Sequence, residues 1–169
     1  MKKLLLSICC FFLFFNMIQA RRSAYPENIP WFLQYSYNKY GEKDKILGAQ
    51  CGQKFDTIFV SREGMKISHE DPWNQGVKKE VTQISFLFDS KEELILKKIK
   101  EVEYKGMRFG RAFLISKDDK NYKKLLEKIK KSNYMSICIE DTEGNISRMT
   151  EVKNTNSTKV LNAFENSLK

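Results

Sequence analysis

Ile84-Ser85-Phe86-Leu87-Phe88 places apolar side chains at 84, 86 and 88, alternating with Ser85 and Leu87. Successive side chains of a strand point to opposite faces, so one face of this segment belongs in a core and the other is partly covered. The same parity returns in Met135-Ser136-Ile137-Cys138-Ile139, where Met135, Ile137 and Ile139 share one face. It returns again in Phe109, Phe113 and Ile115, which share a face with Arg111 beside Gly106 and Gly110. Upstream, Trp31 to Tyr37 is rich in β-formers, Gly41-Glu42-Lys43-Asp44 reads as a turn, and Ile46–Gln53 and Phe55–Ser61 read as two further strands. Leu94–Tyr104 alternates less cleanly and reads as a strand with a bulge. Short strands joined by turns favour antiparallel pairing over parallel βαβ units.

After Ile115 the period changes. Tyr122, Leu125, Leu126 and Ile129 recur at i, i+3, i+4, i+7, the stripe of an amphipathic helix over about 118–131. Asp118 and Asp119 suit its positive end, and Lys130 and Lys131 its negative end. A hairpin is predicted from Tyr134–Asp141 and Asn145–Val152, then a last helix over about 157–168, capped by Ser157 and carrying Val160, Leu161, Phe164 and Leu168. The fold class is therefore mainly β (α+β): an antiparallel, sandwich-like sheet with two helices, forming a single domain over residues 31–169.

Residues 1–20 read differently. Lys2 and Lys3 precede an apolar run from Leu4 to Phe15 that ends at Ile18-Gln19-Ala20 before Arg21-Arg22. A membrane-spanning helix needs about 20 apolar residues; this shorter core fits a secretory signal peptide cut after Ala20. An uncleaved N-terminal anchor is the alternative. Residues 21–30, with two of the three prolines, form an extended lead-in. Export to the periplasm or beyond is expected, with no transmembrane helix in the mature chain. Loss of the leader lowers the formal charge from +9 to +7, because it holds two lysines and no acid. A basic exported chain meets anionic envelope surfaces, acidic glycans or acidic proteins; chromosomal DNA and RNA are not expected targets once the chain is exported. The same lysine excess also serves plain solubility.

Cys51 and Cys138 remain once Cys9 and Cys10 leave with the leader. An oxidising compartment invites a disulfide between them. Parity speaks against it, since Cys138 lies opposite the apolar face of its strand, and free thiols or an intermolecular bridge are the alternatives. His69, the sole histidine, lies in Ser68-His69-Glu70-Asp71-Pro72-Trp73. An imidazole beside Glu70 and Asp71 is the material of a small secreted hydrolase; the bland reading is an exposed loop. No second histidine completes a zinc set, and no nucleophile elbow or phosphate-binding loop is present, so neither a metal nor a cofactor is expected. Asn145-Ile146-Ser147 and Asn156-Ser157-Thr158 are glycosylation sequons, incidental behind a leader of bacterial appearance.

Two surfaces are candidates for binding. One is the aromatic segment with Trp31, Tyr35 and Tyr37; the other is the predicted loop 62–80, with His69 and Trp73. Lys120, Lys123, Lys124, Lys128 and Lys131 form a basic ridge on the first helix, suited to an anionic surface or to mere solvation. The order of elements resembles the invasion-associated locus B family and similar periplasmic accessory proteins of bacterial secretion systems. The matching features are Trp31, Cys51, the helix at 118–131 and the tail Asn145–Leu168; the chain departs in lacking a cysteine on the tryptophan strand and in its high lysine content. The resemblance implies a non-enzymatic, virulence-associated binding or accessory role in the envelope or in host interaction.

Overall fold

Strands β1 (Ile29–Tyr37), β2 (Lys43–Gly52), β3 (Asp56–Val60), β4 (Gly64–Glu70), β5 (Val81–Phe88), β6 (Glu92–Leu96), β7 (Ile99–Val102) and β8 (Gly110–Ser116) precede helix α1 (Tyr122–Lys131). Strands β9 (Tyr134–Asp141), β10 (Ile146–Arg148) and β11 (Val152–Lys153) follow, and helix α2 (Ser157–Asn166) ends the order. The computed structural model describes residues 29–52, 56–70, 77–104, 110–149 and 151–169. The predicted leader, most of the lead-in, Asp71 and Trp73 lie outside the described residues.

Two antiparallel sheets form the body. One has the order β1-β2-β3-β4-β8-β7; the other has the order β10-β9-β5-β6, with β11 also paired to β9. The period-2 segments line their interior. Ile84, Phe86 and Phe88 on β5 and Met135, Ile137 and Ile139 on β9 face Ile58, Val60, Met65, Ile67, Phe113 and Ile115 of the larger sheet in one buried cluster. Fully burying each such side chain is worth about 1.5–3 kcal/mol, which is why the alternation settles which face turns inward. Tyr122, Leu125 and Ile129 of α1 and Leu161 and Phe164 of α2 join the same cluster, as the helical stripe predicts.

Several expectations change. The predicted loop 62–80 holds β4, in which Met65, Ile67 and His69 face inward between β3 and β8. The polar spacers Lys66 and Ser68 mask that alternation in sequence. Gly64 opens β4 at φ +145, where an added Cβ would stand 2.1 Å from the Ile115 carbonyl oxygen. Leu94–Tyr104 is not one bulged strand but β6 and β7, one in each sheet. Asp119 fixes the crossover by accepting the backbone N–H groups of Lys97 and Lys98. That duty keeps Asp119 in the turn before α1, which starts at Tyr122 rather than at 118 and has no acid in its first turn.

The turn between β1 and β2 runs over Asn38–Glu42 rather than 41–44, with the Asn38 N–H bonded to the Glu42 carbonyl, so Lys43 and Asp44 belong to β2. Ser157 does not cap α2. Asn156, in the left-handed region at φ 65, holds that position, and the buried Ser157 hydroxyl donates to the Ile129 carbonyl, joining the helices. Cys51 and Cys138 are free thiols, which corrects the disulfide expectation. Cys51 is buried in the core and its thiol is pushed up by that burial. Cys138 stands on the outer face of the other sheet, so the interior layer separates them. Among the described residues no helix is long and apolar enough to cross a membrane.

Candidate functional site

The inward face of the larger sheet is apolar along the row Ile58–Ile67–Phe113. Two residues further along each strand, the next inward row is Asp56–His69–Arg111, paired directly across β3, β4 and β8. Strand geometry alone carries a polar row into the core wall here, because side chains two apart share a face. This row lies where β3 begins and β4 ends.

From the opposite sheet, Ser147 on β10 points inward, being paired with the buried Ile139. The His69 ring spans the gap. Its Nδ1 lies 2.6 Å from Asp56 Oδ1 and its Nε2 lies 2.6 Å from Ser147 Oγ. A carboxylate only accepts, so Nδ1–H donates to Asp56; Nε2 of the neutral ring then accepts the Ser147 hydroxyl proton. The side chains of His69 and Asp56 are 11% and 7% exposed, and Ser147 is 7% exposed. Buried polar groups are stable only when paired, and each member here has its partner.

Arg111 completes the row. Its Nε and one Nη donate to the two carboxylate oxygens of Glu101 at 2.8 and 2.7 Å, and its remaining donors reach the Val77 and Lys79 carbonyls. The guanidinium hydrogen bond holds the Glu101 carboxyl below its ordinary value. On the facing sheet, burial alone would raise the Asp141 carboxyl, but N–H donors from Asn145, Lys79 and Glu143 outweigh it and hold it well below the carboxylate range. The polar end is thus a tied network in which a histidine sits between an acid and a serine. In chemical terms, the acid orients the ring and the ring can take the hydroxyl proton.

The sequence singled out His69 and set Glu70 and Asp71 beside it, whereas the partners of its ring in the structure are Asp56 and Ser147. Glu70 points to the other face and is engaged by the Tyr104 hydroxyl, and Asp71 lies outside the described residues. Asp56 and Ser147 were missed. An acid on the inward parity of Asp56-Thr57-Ile58-Phe59-Val60 was the available signal for the first; Ser147 appeared only as the third residue of a sequon.

The other predicted site residues disperse. Trp31 is core, 2% exposed, with its indole N–H directed at Asn154 Oδ1. Tyr35 is half-buried beneath the Lys43 ammonium, while Tyr37 is exposed. Phe32, Tyr40 and Leu47 are exposed on the same β1–β2 hairpin. Of the basic ridge, Lys120, Lys123 and Lys131 are exposed, whereas Lys124 and Lys128 converge on Glu92. The Lys128 hydrogen bond lowers the Glu92 carboxyl. Lys130 pairs with Glu127 and also with Glu165 of α2. Among the described residues no group of three or more His, Cys, Asp or Glu could hold a metal ion. No family model, no curated protein and no solved structure matches this chain.

Proposed function

We propose that the chain is an exported protein of the bacterial envelope or of host interaction that works by binding a protein or glycan through the β1–β2 end of its larger sheet. One observation carries the surface: Phe32, Tyr37, Tyr40 and Leu47 are 40%, 61%, 74% and 47% exposed on one hairpin. Tyrosine offers large, stiff contact area with a polar tip, the composition enriched where proteins bind. The hairpin also includes β1, an edge strand of its sheet, so a partner's extended segment can add to it by main-chain pairing. Lys39 lies over the Tyr40 ring, and with Lys43 over Tyr35 it gives this surface a positive rim suited to an acidic partner. The leader supports export, and the order of elements supports the likeness to periplasmic accessory proteins.

The test is photo-crosslinking in the native host from positions 37 and 40, with Leu87 on the outer face of the other sheet as control. A discrete adduct from the hairpin positions alone is expected, in an extracytoplasmic fraction. Adducts of equal yield from all three positions, or a cytoplasmic protein with Met1 intact, would remove the reading. Tyr37→Ala should weaken the adduct formed from position 40, and Tyr40→Ala the adduct formed from position 37, while each changes stability by less than about 1 kcal/mol, as exposed substitutions do; thermal unfolding checks the second half.

A further inference from the structure

We propose that Ser147 is an activated nucleophile that takes an acyl group from a carboxylic ester, with His69 as general base and Asp56 as the residue positioning the ring. This activity is separate from the aromatic surface and rests on the two 2.6 Å contacts that join Asp56, His69 and Ser147 across two sheets. A serine hydroxyl is a weak nucleophile unless an adjacent base removes its proton, and the base must be held in the right tautomer by a third group. Both conditions are met by residues far apart in the chain: His69 and Ser147 are 78 positions apart.

Access is along the edge of β10, the last strand of its sheet among the described residues. Ser147 itself is 7% exposed, but Ile146 beside it is 51% exposed and β10 ends its sheet. The register also supplies a donor. Met149 N–H bonds the Ile137 carbonyl, so the alternation of an antiparallel ladder turns the Ser147 amide toward β9 and the Ile146 and Arg148 amides toward the open edge. The Arg148 N–H, next in chain to the nucleophile, is therefore placed on the side from which an acyl carbonyl arrives. It is the donor best situated for the developing oxyanion. Arg111, the cation nearest in the row, is already held by Glu101 and two carbonyls. The acyl donor that fits is accordingly an uncharged ester.

The step balances within the site. Ser147 Oγ bonds to the ester carbonyl carbon as its proton passes to His69 Nε2. The C–O bond to the alcohol then breaks, and the alkoxide leaves with that proton. The products are acyl-Ser147 and the free alcohol.

A fluorophosphonate tests this directly, because the same attack forms an O–P bond at Ser147 and expels fluoride. Incubation of the purified chain with such a probe, followed by peptide mapping, should give one adduct, on Ser147. The labelling rate should fall on the order of 10²-fold or more in His69→Gln, the range of a lost general base. It should fall likewise in Asp56→Asn, which permits the wrong tautomer. Ser147→Ala should give no adduct while keeping its circular dichroism and a cooperative melt. Should His69→Gln fail to fold, the comparison of wild type with Asp56→Asn and Ser147→Ala decides. A folded wild type that takes no adduct, an adduct on another residue, or a rate unchanged in folded Asp56→Asn would each show that the three residues only tie the sheets together.

Discussion

Phe86→Ala should cost about 3–5 kcal/mol of folding stability, the range for removing a large buried aromatic. Phe86 is 0% exposed, and its ring stacks on Phe88 with centroids 6.3 Å apart. Its cross-strand neighbours are Leu94 and Ile137, so it stands at the centre of the smaller sheet. Nothing next to it is free to collapse into the space, since all three of those neighbours are themselves buried core residues. Leu87, one residue on, faces outward at 38% exposure, and Leu87→Ala should cost less than about 1 kcal/mol. Urea unfolding of both variants measures the contrast; a similar loss at the two positions would contradict the assignment of faces.

Gly64→Ala is the second large effect, and it acts through the backbone. The residue opens β4 at φ +145, and the new methyl would meet the Ile115 carbonyl oxygen at 2.1 Å. That oxygen belongs to β8, the strand to which β4 pairs through Met65↔Ile115 and Gly64↔Ser116. Relief requires the two strands to separate where Met65 and Ile115 are both fully buried. A loss of at least about 2 kcal/mol follows from backbone strain of this kind. Gly41→Ala, also at positive φ but with nothing near its added Cβ, should be clearly milder. Thermal denaturation of the pair reads the difference.

The elements legible in the sequence were those where one period persists over several residues. β5, β9 and α1 are of this kind: ISFLF, MSICI and the Tyr122–Ile129 stripe each bury the face that their spacing selects. The parity of Cys138 also read correctly, as an outward residue, and this alone argued for a free thiol. β4 was hidden because its inward row ends in His69 and its outward residues are Lys66 and Ser68, leaving only Met65 and Ile67 to signal it. The division of β6 from β7 was hidden for a different reason. It depends on Asp119, more than twenty residues downstream, binding the amides of Lys97 and Lys98. The candidate site was the least legible part. Asp56, His69 and Ser147 meet only because β3 and β4 pair in one sheet while β10 forms the edge of the other.

The sole histidine of the chain makes the decisive measurement direct, since its imidazole resonances have no rival. Proton and nitrogen spectra of the folded protein should show a slowly exchanging Nδ1–H, with Nε2 as the acceptor. That proton signal should be lost in Asp56→Asn, and the Nε2 resonance should move in Ser147→Ala. An imidazole whose protons exchange as rapidly as those of a free histidine, and whose spectrum ignores both substitutions, would mean that Asp56, His69 and Ser147 are not joined.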